Sequence, residues 1–423
     1  MEKIDIVSKK KETLNKRSSI SSDCSAETDS SEKTNPNVKN KASWGEIFMF
    51  THVLIYVGIV YASYYYMNKN IHIILWMFYV AVPFIDMVFP QDTKNLTSAV
   101  SKEYEKDKRF LIPLYAFAFI STFTYIWGIY VFSTDEFSGI LHRIMFLFSL
   151  SHFGALGEVV GHELLHRRET VHKIFGTLEY TKVLYSHFFI EHVKGHHKNV
   201  ATPLDPASSS IGESLYEFLP KTVMGSYRSV WKYETKRLKK ETNILIWFFK
   251  NRLVLFNIGH AAIVLVVTYY FGFLGLFFVL GYAFFGIFML EAINYVEHYG
   301  LRRDKDENGI YEPVNIKHSW NAPQRYTNYL LFKLQRHSDH HANSYKPYQI
   351  LDSFADSPSL IGGYTLAIIT SYVPYVWFKV YSPLAKAAQE EKKIDQTDCE
   401  KASFRYYVIY SVLLTLFTIF FQF

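Results

Sequence analysis

Histidine is concentrated in four short stretches of the chain, which together hold nine of its 17 histidines. The stretches are residues 162–166 (HELLH), 191–197 (EHVKGHH), 294–301 (NYVEHYGL) and 334–341 (LQRHSDHH). Because only about 4% of the residues are histidine, the patterns H-x-x-x-H-H and H-x-x-H-H would both arise by chance in about one such chain in a thousand. The clustering therefore indicates a shared chemical site.

Such clusters predict metal binding, because neutral imidazole is a good ligand for iron, zinc, copper and nickel. One ion seldom takes more than about six ligands, so nine histidines imply at least two ions. If their stretches are helical, His162 and His166 lie one turn apart on the same face. The same kind of spacing brings together His337, His340 and His341. The candidate metal ligands are His162, His166, His192, His196, His197, His298, His337, His340 and His341.

Every cluster also contains an acidic residue. A carboxylate beside a metal-bound histidine commonly accepts the free ring N–H and offsets the charge of the ion. We expect this role for the four acids, with direct binding of the metal as the alternative. The other eight histidines are expected to be structural, with His187 and His318 near enough in sequence to support the ligands. The four acids are Glu163, Glu191, Glu297 and Asp339.

Two other kinds of metal protein fit part of the pattern. HELLH matches the H-E-x-x-H motif of zinc metalloproteases, in which two histidines bind zinc and the glutamate acts as the base. A protease leaves seven of the clustered histidines unexplained, and no later apolar segment offers an aspartate as a further ligand. A metal transporter would carry its ligands in the middle of its membrane spans, whereas two of these clusters directly follow the ends of apolar segments. An enzyme with two metal ions accounts for more of the sequence.

The apolar residues that must position these clusters are arranged as membrane spans. Hydrophobic residues make up 49% of the chain, in long runs separated by charged blocks, which is typical of membrane proteins. The run 253–292 is about twice the roughly 20 residues that one crossing needs. Since Gly272 and Gly275 lie near its middle, it predicts a helical hairpin. With the runs 45–67, 71–89, 110–132 and 138–160, the sequence predicts an all-α polytopic membrane protein with about six spans.

The sequence further divides into three regions. Residues 1–43 are polar and charged and are expected to form a disordered tail. Residues 44–385 hold the six spans and the histidine clusters, and residues 386–423 form an extension with another apolar segment at 404–423. The basic residues of the tail and of the connection between the second and third runs place the clusters in the cytosol. The net charge of +6 is explained by this topology and by lipid headgroups, and not by nucleic acid.

The motifs around the histidines resemble those of a known family. GHELLHRRET, YSHFFIEHVKGHHKNVATPLDPASSSIGESLYEF, NYVEHYGL, KHSWN and LQRHSDHHAN are similar to the integral-membrane alkane hydroxylases, or alkane 1-monooxygenases. That family is related to xylene monooxygenase and, more distantly, to the membrane fatty-acid desaturases. The resemblance covers roughly residues 44–385.

This resemblance implies a six-helix fold in which the nine histidines, with no position missing, hold two non-haem iron ions. It implies that dioxygen is the co-substrate and that the terminal methyl group of a medium- or long-chain alkane is hydroxylated. A rubredoxin-type protein with its reductase would supply electrons, since the two cysteines offer no CxxC pair for such a module. Desaturation or hydroxylation of a fatty-acyl chain is the alternative. The membrane would be a bacterial inner membrane or the endoplasmic reticulum.

An alkane offers no polar group, so its affinity must come from burial, at about 0.8 kcal/mol for each CH₂. We therefore expect a narrow channel that ends at the metal ions. Bulky side chains of the second apolar run would limit its length, whereas ordinary packing against lipid is the alternative interpretation. The candidate channel residues are Trp76, Phe78 and Tyr79.

Overall fold

The chain is helical throughout the part that the structure describes. The computed structural model describes residues 41–422, with side chains up to Phe420. Within those residues, the only β-structure is two isolated bridges, between Lys305 and Tyr311 and between Asn321 and Ser359. The predicted all-α fold is confirmed. The predicted tail, apart from its last three residues, lies outside the described residues, and the predicted division into three regions stays a prediction.

The helices begin and end as their local sequences direct. Ser43 and Glu46 form a capping box at the start of α1, and Ser214 and Glu217 form another at the start of α9, each satisfying backbone N–H groups that a helix leaves free. In chain order, the helices are α1 Trp44–Phe48, α2 Val53–Tyr66, α3 Ile73–Val88, α4 Ser98–Lys106, α5 Leu111–Thr134, α6 Ile140–His166, α7 Thr170–Lys182, α8 188–199, α9 Leu215–Arg237, α10 Ile244–Lys250, α11 Arg252–His298, α12 Arg325–Leu330, α13 His337–Ala342, α14 Gly363–Ser371, α15 Pro374–Gln389 and α16 Thr397–Gln422.

Several of these helices are long and apolar enough to cross a membrane. Within the described residues, four qualify: Lys108–Thr134, Ile140–His166, Arg252–His298 and Thr397–Phe420. The pair Trp44–Thr51 and Val53–Tyr66, bent by 44°, qualifies only when its two parts are taken together. α3 is shorter, and at 1.5 Å per residue its 16 residues reach about 24 Å. The predicted total of six spans therefore stays a prediction.

The predicted break in the longest apolar run lies at Gly272. This residue has φ 61° and ψ −151°, a non-helical conformation inside α11 that glycine adopts without steric cost. The chain bends so sharply that a Cβ on Gly275 would lie 2.9 Å from Cγ1 of Val267, eight residues earlier. In a straight helix these residues would stand about 12 Å apart along the axis. The first and second halves of α11 therefore pack against each other beside the bend.

α6 lies at the centre of the bundle and carries the first histidine cluster at its end. Of its apolar window, 83% is buried, the highest share among the candidate spans. Gly161 of α6 and Gly176 of α7 meet so closely that a Cβ on Gly161 would lie 3.0 Å from the Gly176 carbonyl oxygen. Small residues of this kind let membrane helices approach each other. The close packing fixes the end of α6, and with it the position of His162.

Candidate metal centre

The structure brings all nine clustered histidines together in two adjoining groups. Within each group, the candidate ligand nitrogens lie within 4.8 Å of one another. Rings of the two groups touch, since the centroids of His197 and His341 are 4.5 Å apart. The first group contains His162, His166, His192, His197 and His340, and the second contains His196, His298, His337 and His341.

α6 contributes two members of the first group from its last turns. His162 and His166 are four residues apart, so their side chains leave the helix on the same face. Both Nε2 atoms point into the group, and that of His166 lies 3.1 Å from Nε2 of His192. The shared face that the sequence predicted is present.

A widened turn in α8 divides its three histidines between the groups. Residues His192–His196 form a π-helical turn, whose i→i+5 hydrogen bonding places residues five apart above one another. His192 and His197 accordingly meet, with 3.0 Å between their Nε2 atoms, whereas His196 joins the other group. In a regular α-helix, His192 and His196 would share a face instead.

The short helix α13 also serves both groups. His337 and His341, four residues apart, lie in the second group with 3.0 Å between their Nε2 atoms. His340 points to the first group, where its Nε2 lies 3.2 Å from that of His197. The sequence predicted one shared face for the three histidines of α13, and the structure divides that face between two sites. His298, at the end of α11, completes the second group at 3.2 Å from Nε2 of His337.

The arrangement of nitrogen atoms fits a metal ion in each group. Ligands about 2.1 Å from an ion and at right angles to each other are about 3 Å apart, the spacing found here. The buried Nε2 atoms of His162 and His196 have no hydrogen-bond partner among the described residues, and a metal ion would satisfy them. Burial, and after it the neighbouring imidazoles, keep the pKa of five rings well below the ordinary histidine value, so that they are neutral and available as ligands: His192, His197, His337, His340 and His341.

Of the predicted acids, Glu297 contacts a histidine of the second group, whereas Glu163 has other partners. Oε2 of Glu297 is 3.2 Å from Nε2 of His337, and its Oε1 accepts a hydrogen bond from the Tyr364 hydroxyl. Glu163 instead pairs with Arg167 at 2.7 Å and accepts a weak hydrogen bond from the backbone N–H of Tyr348 at 3.3 Å. Glu163 therefore ties the end of α6 to the loop that follows α13.

The other two acids have different surroundings. Glu191 is buried beside Gly195, where any larger residue would collide with its carboxylate. Burial, and then the charge of Asp205, raise the pKa of Glu191 to about 7. Asp339 pairs with Lys346 at 2.9 Å and accepts the backbone N–H of Asp352. The contacts of Asp339 thus hold a loop, and the expected role of all four acids beside the metal stays a prediction.

The sequence reasoning missed Asp205. This buried aspartate follows α8 in a loop, and its Oδ2 lies 2.9 Å from Nδ1 of His196. Ser208 donates a second hydrogen bond to the same oxygen. Burial alone would lower the pKa of His196, but the Asp205 carboxylate outweighs that effect and raises it. An aspartate outside the histidine clusters, within TPLDPASSS, gave no signal that one sequence could reveal.

Of the two histidines placed near the clusters, neither lies in a ligand group. Nε2 of His318 is 3.2 Å from Oε1 of Glu312, and the ring of His187 packs against Tyr185 and Tyr227. Both positions accord with structural roles.

Two of the three candidate channel residues line an apolar cavity of about 70 Å³. Phe78 and Tyr79 enter it from α3, and the facing wall comes from α6 and the second half of α11. Trp76 points elsewhere and donates its indole N–H to Thr415 of α16. Tyr364 also lines the cavity. Its hydroxyl donates a hydrogen bond to Glu297, next to the second histidine group.

Comparison with known proteins gives the family. The sequence model of the fatty acid desaturase family matches residues 138–368. Alkane 1-monooxygenase 1 of Pseudomonas aeruginosa is 34% identical over 80% of this chain and 91% of its own length. The chain belongs to the alkane 1-monooxygenase family. An alkane 1-monooxygenase of Acinetobacter baylyi is 35% identical over 75% of this chain and 77% of its own length.

A more distant relative supports the same assignment. The xylene/toluene monooxygenase hydroxylase component of Pseudomonas putida is 26% identical over 52% of this chain and 58% of its own length. The resemblance that the histidine motifs predicted is confirmed. As a member of the alkane 1-monooxygenase family, the chain is a membrane-bound monooxygenase with a histidine-rich metal-binding region.

Proposed function

We propose that this protein hydroxylates the terminal methyl group of medium- or long-chain alkanes, or of similar alkyl substrates, at a centre of two non-haem iron ions. The observation that carries the proposal is the division of nine histidines, seven of them buried, into two adjoining groups of five and four, next to an apolar cavity. The relatives named for alkane monooxygenation support the substrate class. When bound, the two irons would supply the activation of dioxygen and the oxidation of the C–H bond.

The protein's own residues would hold the ions and exclude water. His162, His166, His192, His197 and His340 would bind one iron, and His196, His298, His337 and His341 the other. The low pKa values of five rings keep them unprotonated at neutral pH, so that no proton competes with the metal for them: His192, His197, His337, His340 and His341.

The cavity beside Phe78 and Tyr79 would receive the alkyl chain. Apart from a few tyrosine, histidine and threonine groups its lining is hydrophobic, so binding there would replace contacts with lipid by contacts with close-packed side chains. Ala155 and Val159, one to two turns before His162 on α6, bring the cavity to the level of the metal centre. A linear chain could thus present its end to the irons.

Electrons would come from a separate, acidic redox protein of rubredoxin type, with its reductase, that docks near the second histidine group. A groove of about 1180 Å³ lies there, and Asp205, the partner of His196, is part of its lining. The positive charge of the groove favours an acidic partner, because complementary potentials steer two proteins together. The exposed basic residues of the groove are Lys221, Arg228, Lys232, Arg302 and Lys305.

The proposed electron donor also implies an orientation of the protein in its membrane. A donor that is itself water-soluble must reach the groove, so the loops between α6 and α11 would face the cytosol. The excess of basic residues in the tail and after α3 agrees with that orientation. Cysteine labelling from each side of sealed vesicles, at Lys232→Cys in the groove and Tyr269→Cys near the bend of α11, would test it.

The deciding experiment is a turnover assay on the purified full-length protein, loaded with iron and supplied with electrons, with alkanes of increasing length. About two irons per chain and an oxygen-dependent 1-alkanol are expected. An alkene in place of the alcohol would make the protein a desaturase, the activity for which the other matching family is named. Bound zinc without an oxygen-dependent product would overturn the proposal in favour of a zinc protease.

A further inference from the structure

The second apolar segment contains a local irregularity where it meets the cavity. Residues Met77–Ala81 of α3 form a π-helical turn, a feature found mostly as single turns at functional sites. Phe78 and Tyr79 lie within this turn, and both line the cavity. The Tyr79 hydroxyl lies 2.7 Å from Nε2 of His152. Since Nδ1 of that ring faces the Phe148 carbonyl oxygen at 2.9 Å, Nε2 is the acceptor and Tyr79 the donor.

The carboxy-terminal helix α16 holds this turn from outside. The hydroxyl of Tyr407 donates a 2.7 Å hydrogen bond to the carbonyl oxygen of Val80, inside the π turn. Trp76 directly precedes the turn, and its indole N–H donates a 2.8 Å hydrogen bond to the hydroxyl of Thr415. Within a membrane-embedded helix, no water competes for a backbone carbonyl group. Tyr407 therefore stabilises the conformation that aims Phe78 and Tyr79.

The two faces of α16 have different surroundings. Ser403 and Tyr407 are buried against the rest of the protein, whereas Val408, Val412 and Leu416 are exposed and apolar, as expected of a face that contacts lipid. α16 thus stands between the π turn and the membrane. The ring of Tyr410, also on α16, comes within 6.4 Å of the Tyr79 ring, measured between centroids.

We propose that α16 supports the α3 side of the substrate cavity from outside and determines which chain lengths are accepted, by holding the π turn that contains Phe78 and Tyr79. The inference rests on the proposed alkane hydroxylation. The cavity is narrow, about 70 Å³, so a small rotation of either aromatic ring changes the space available to the end of the alkyl chain. Residues of α16, which are far in sequence from the histidine ligands, would then set the selectivity for chain length without altering those ligands.

The test compares single substitutions that remove one contact each. Tyr407→Phe removes the hydroxyl that bonds the π turn, and Thr415→Val removes the acceptor of the Trp76 indole. Tyr406→Phe is the matched control, because it removes a hydroxyl from the neighbouring position on α16 that donates instead to Ile369 of α14. Each full-length, iron-loaded variant in lipid receives an equimolar mixture of a shorter and a longer alkane. The ratio of the two alkanols gives the ratio of kcat/KM, and it does not depend on the amount of folded enzyme.

Tyr407→Phe and Thr415→Val should each change this ratio by about threefold to tenfold, as expected for the loss of one buried hydrogen bond. Tyr406→Phe should leave it unchanged, and all three variants should bind as much iron as the wild type. If the wild type forms 1-alkanols but both test variants keep its ratio, the inference fails while the proposed function stands. If Tyr406→Phe changes the ratio as much as Tyr407→Phe does, the role of the π turn is overturned. If the wild type forms no alkanol from any alkane, the proposed function itself fails.

Discussion

Nδ1 of His196 lies 2.9 Å from Oδ2 of Asp205, and both side chains are buried. This contact fixes the imidazole so that Nε2, which has no other partner among the described residues, faces the second histidine group. A carboxylate in this position also increases the electron density of the ring, which strengthens binding to a metal ion. Asp205 therefore orients a candidate metal ligand although it lies outside the nine histidines.

Asp205→Asn should weaken iron binding at the second group by about 10- to 100-fold, the usual effect of removing a carboxylate behind a metal-bound histidine. Iron titration of the apo-protein, followed by metal analysis, measures the change. The control is Asp304→Asn, since Asp304 lines the same groove but is exposed and outside the histidine groups. Equal iron affinity in the Asp205→Asn variant and the wild type would contradict the role of this contact.

His340→Ala and His341→Ala should each cause the loss of a different one of the two proposed iron ions, although the two residues are adjacent in sequence. His340 lies in the group of five and His341 in the group of four, so each substitution should lower the iron content towards about one per chain. Mössbauer spectra of the two variants should retain different iron signals. His142→Ala, which changes a histidine at the start of α6 far from both groups in sequence, is the control. Identical spectra for the two α13 variants would contradict the division into two sites.

Phe78→Ala should extend the range of alkanes that the enzyme accepts. Phe78 lines the cavity and stacks on Tyr56, with 4.6 Å between ring centroids, so its removal opens space along the chain. Each additional CH₂ that is buried adds about 0.8 kcal/mol, or about a fourfold gain in kcat/KM. Product profiles over a series of alkane lengths measure the shift. Phe84→Ala, on the exposed side of α3, is the control, and an unchanged profile in Phe78→Ala would remove this residue from the channel.

Reversing the charge of the groove should slow electron delivery without altering the metal centre. Arg228→Glu with Lys232→Glu should lower the apparent second-order rate constant with an acidic rubredoxin-type donor by about tenfold or more at low salt. The difference should shrink as the ionic strength rises, because salt screens exposed charges. Stopped-flow reduction of the iron-loaded protein measures the rate.

Lys240→Glu is the matched control for the groove, since Lys240 is exposed on the same connection between α6 and α11 but does not line the groove. A chemical reductant should reduce the wild type and both variants equally. If the control slows the donor as much as the double variant does, docking at this groove is wrong.

The sequence by itself determined the chemistry of the site and the helices that carry it. The nine histidines could be found because their number and spacing far exceed chance, and the pair His162 and His166 because a four-residue spacing places side chains on one helix face. The break at Gly272 could be found because glycine near the middle of an overlong apolar run indicates a bend. These signals are local, so a single sequence contains them.

Only the tertiary structure decided how the nine histidines are divided between the two groups and which residues surround them. The division of the α8 histidines depends on a π turn, and that of His340 and His341 on where α13 docks between α6 and α11. Asp205 becomes significant only when its loop packs against His196. Trp76 faces α16, where its indole donates to Thr415, and not the cavity that Phe78 and Tyr79 line. Each of these facts depends on contacts between residues far apart in the chain, and helical periodicity carries no information about such contacts.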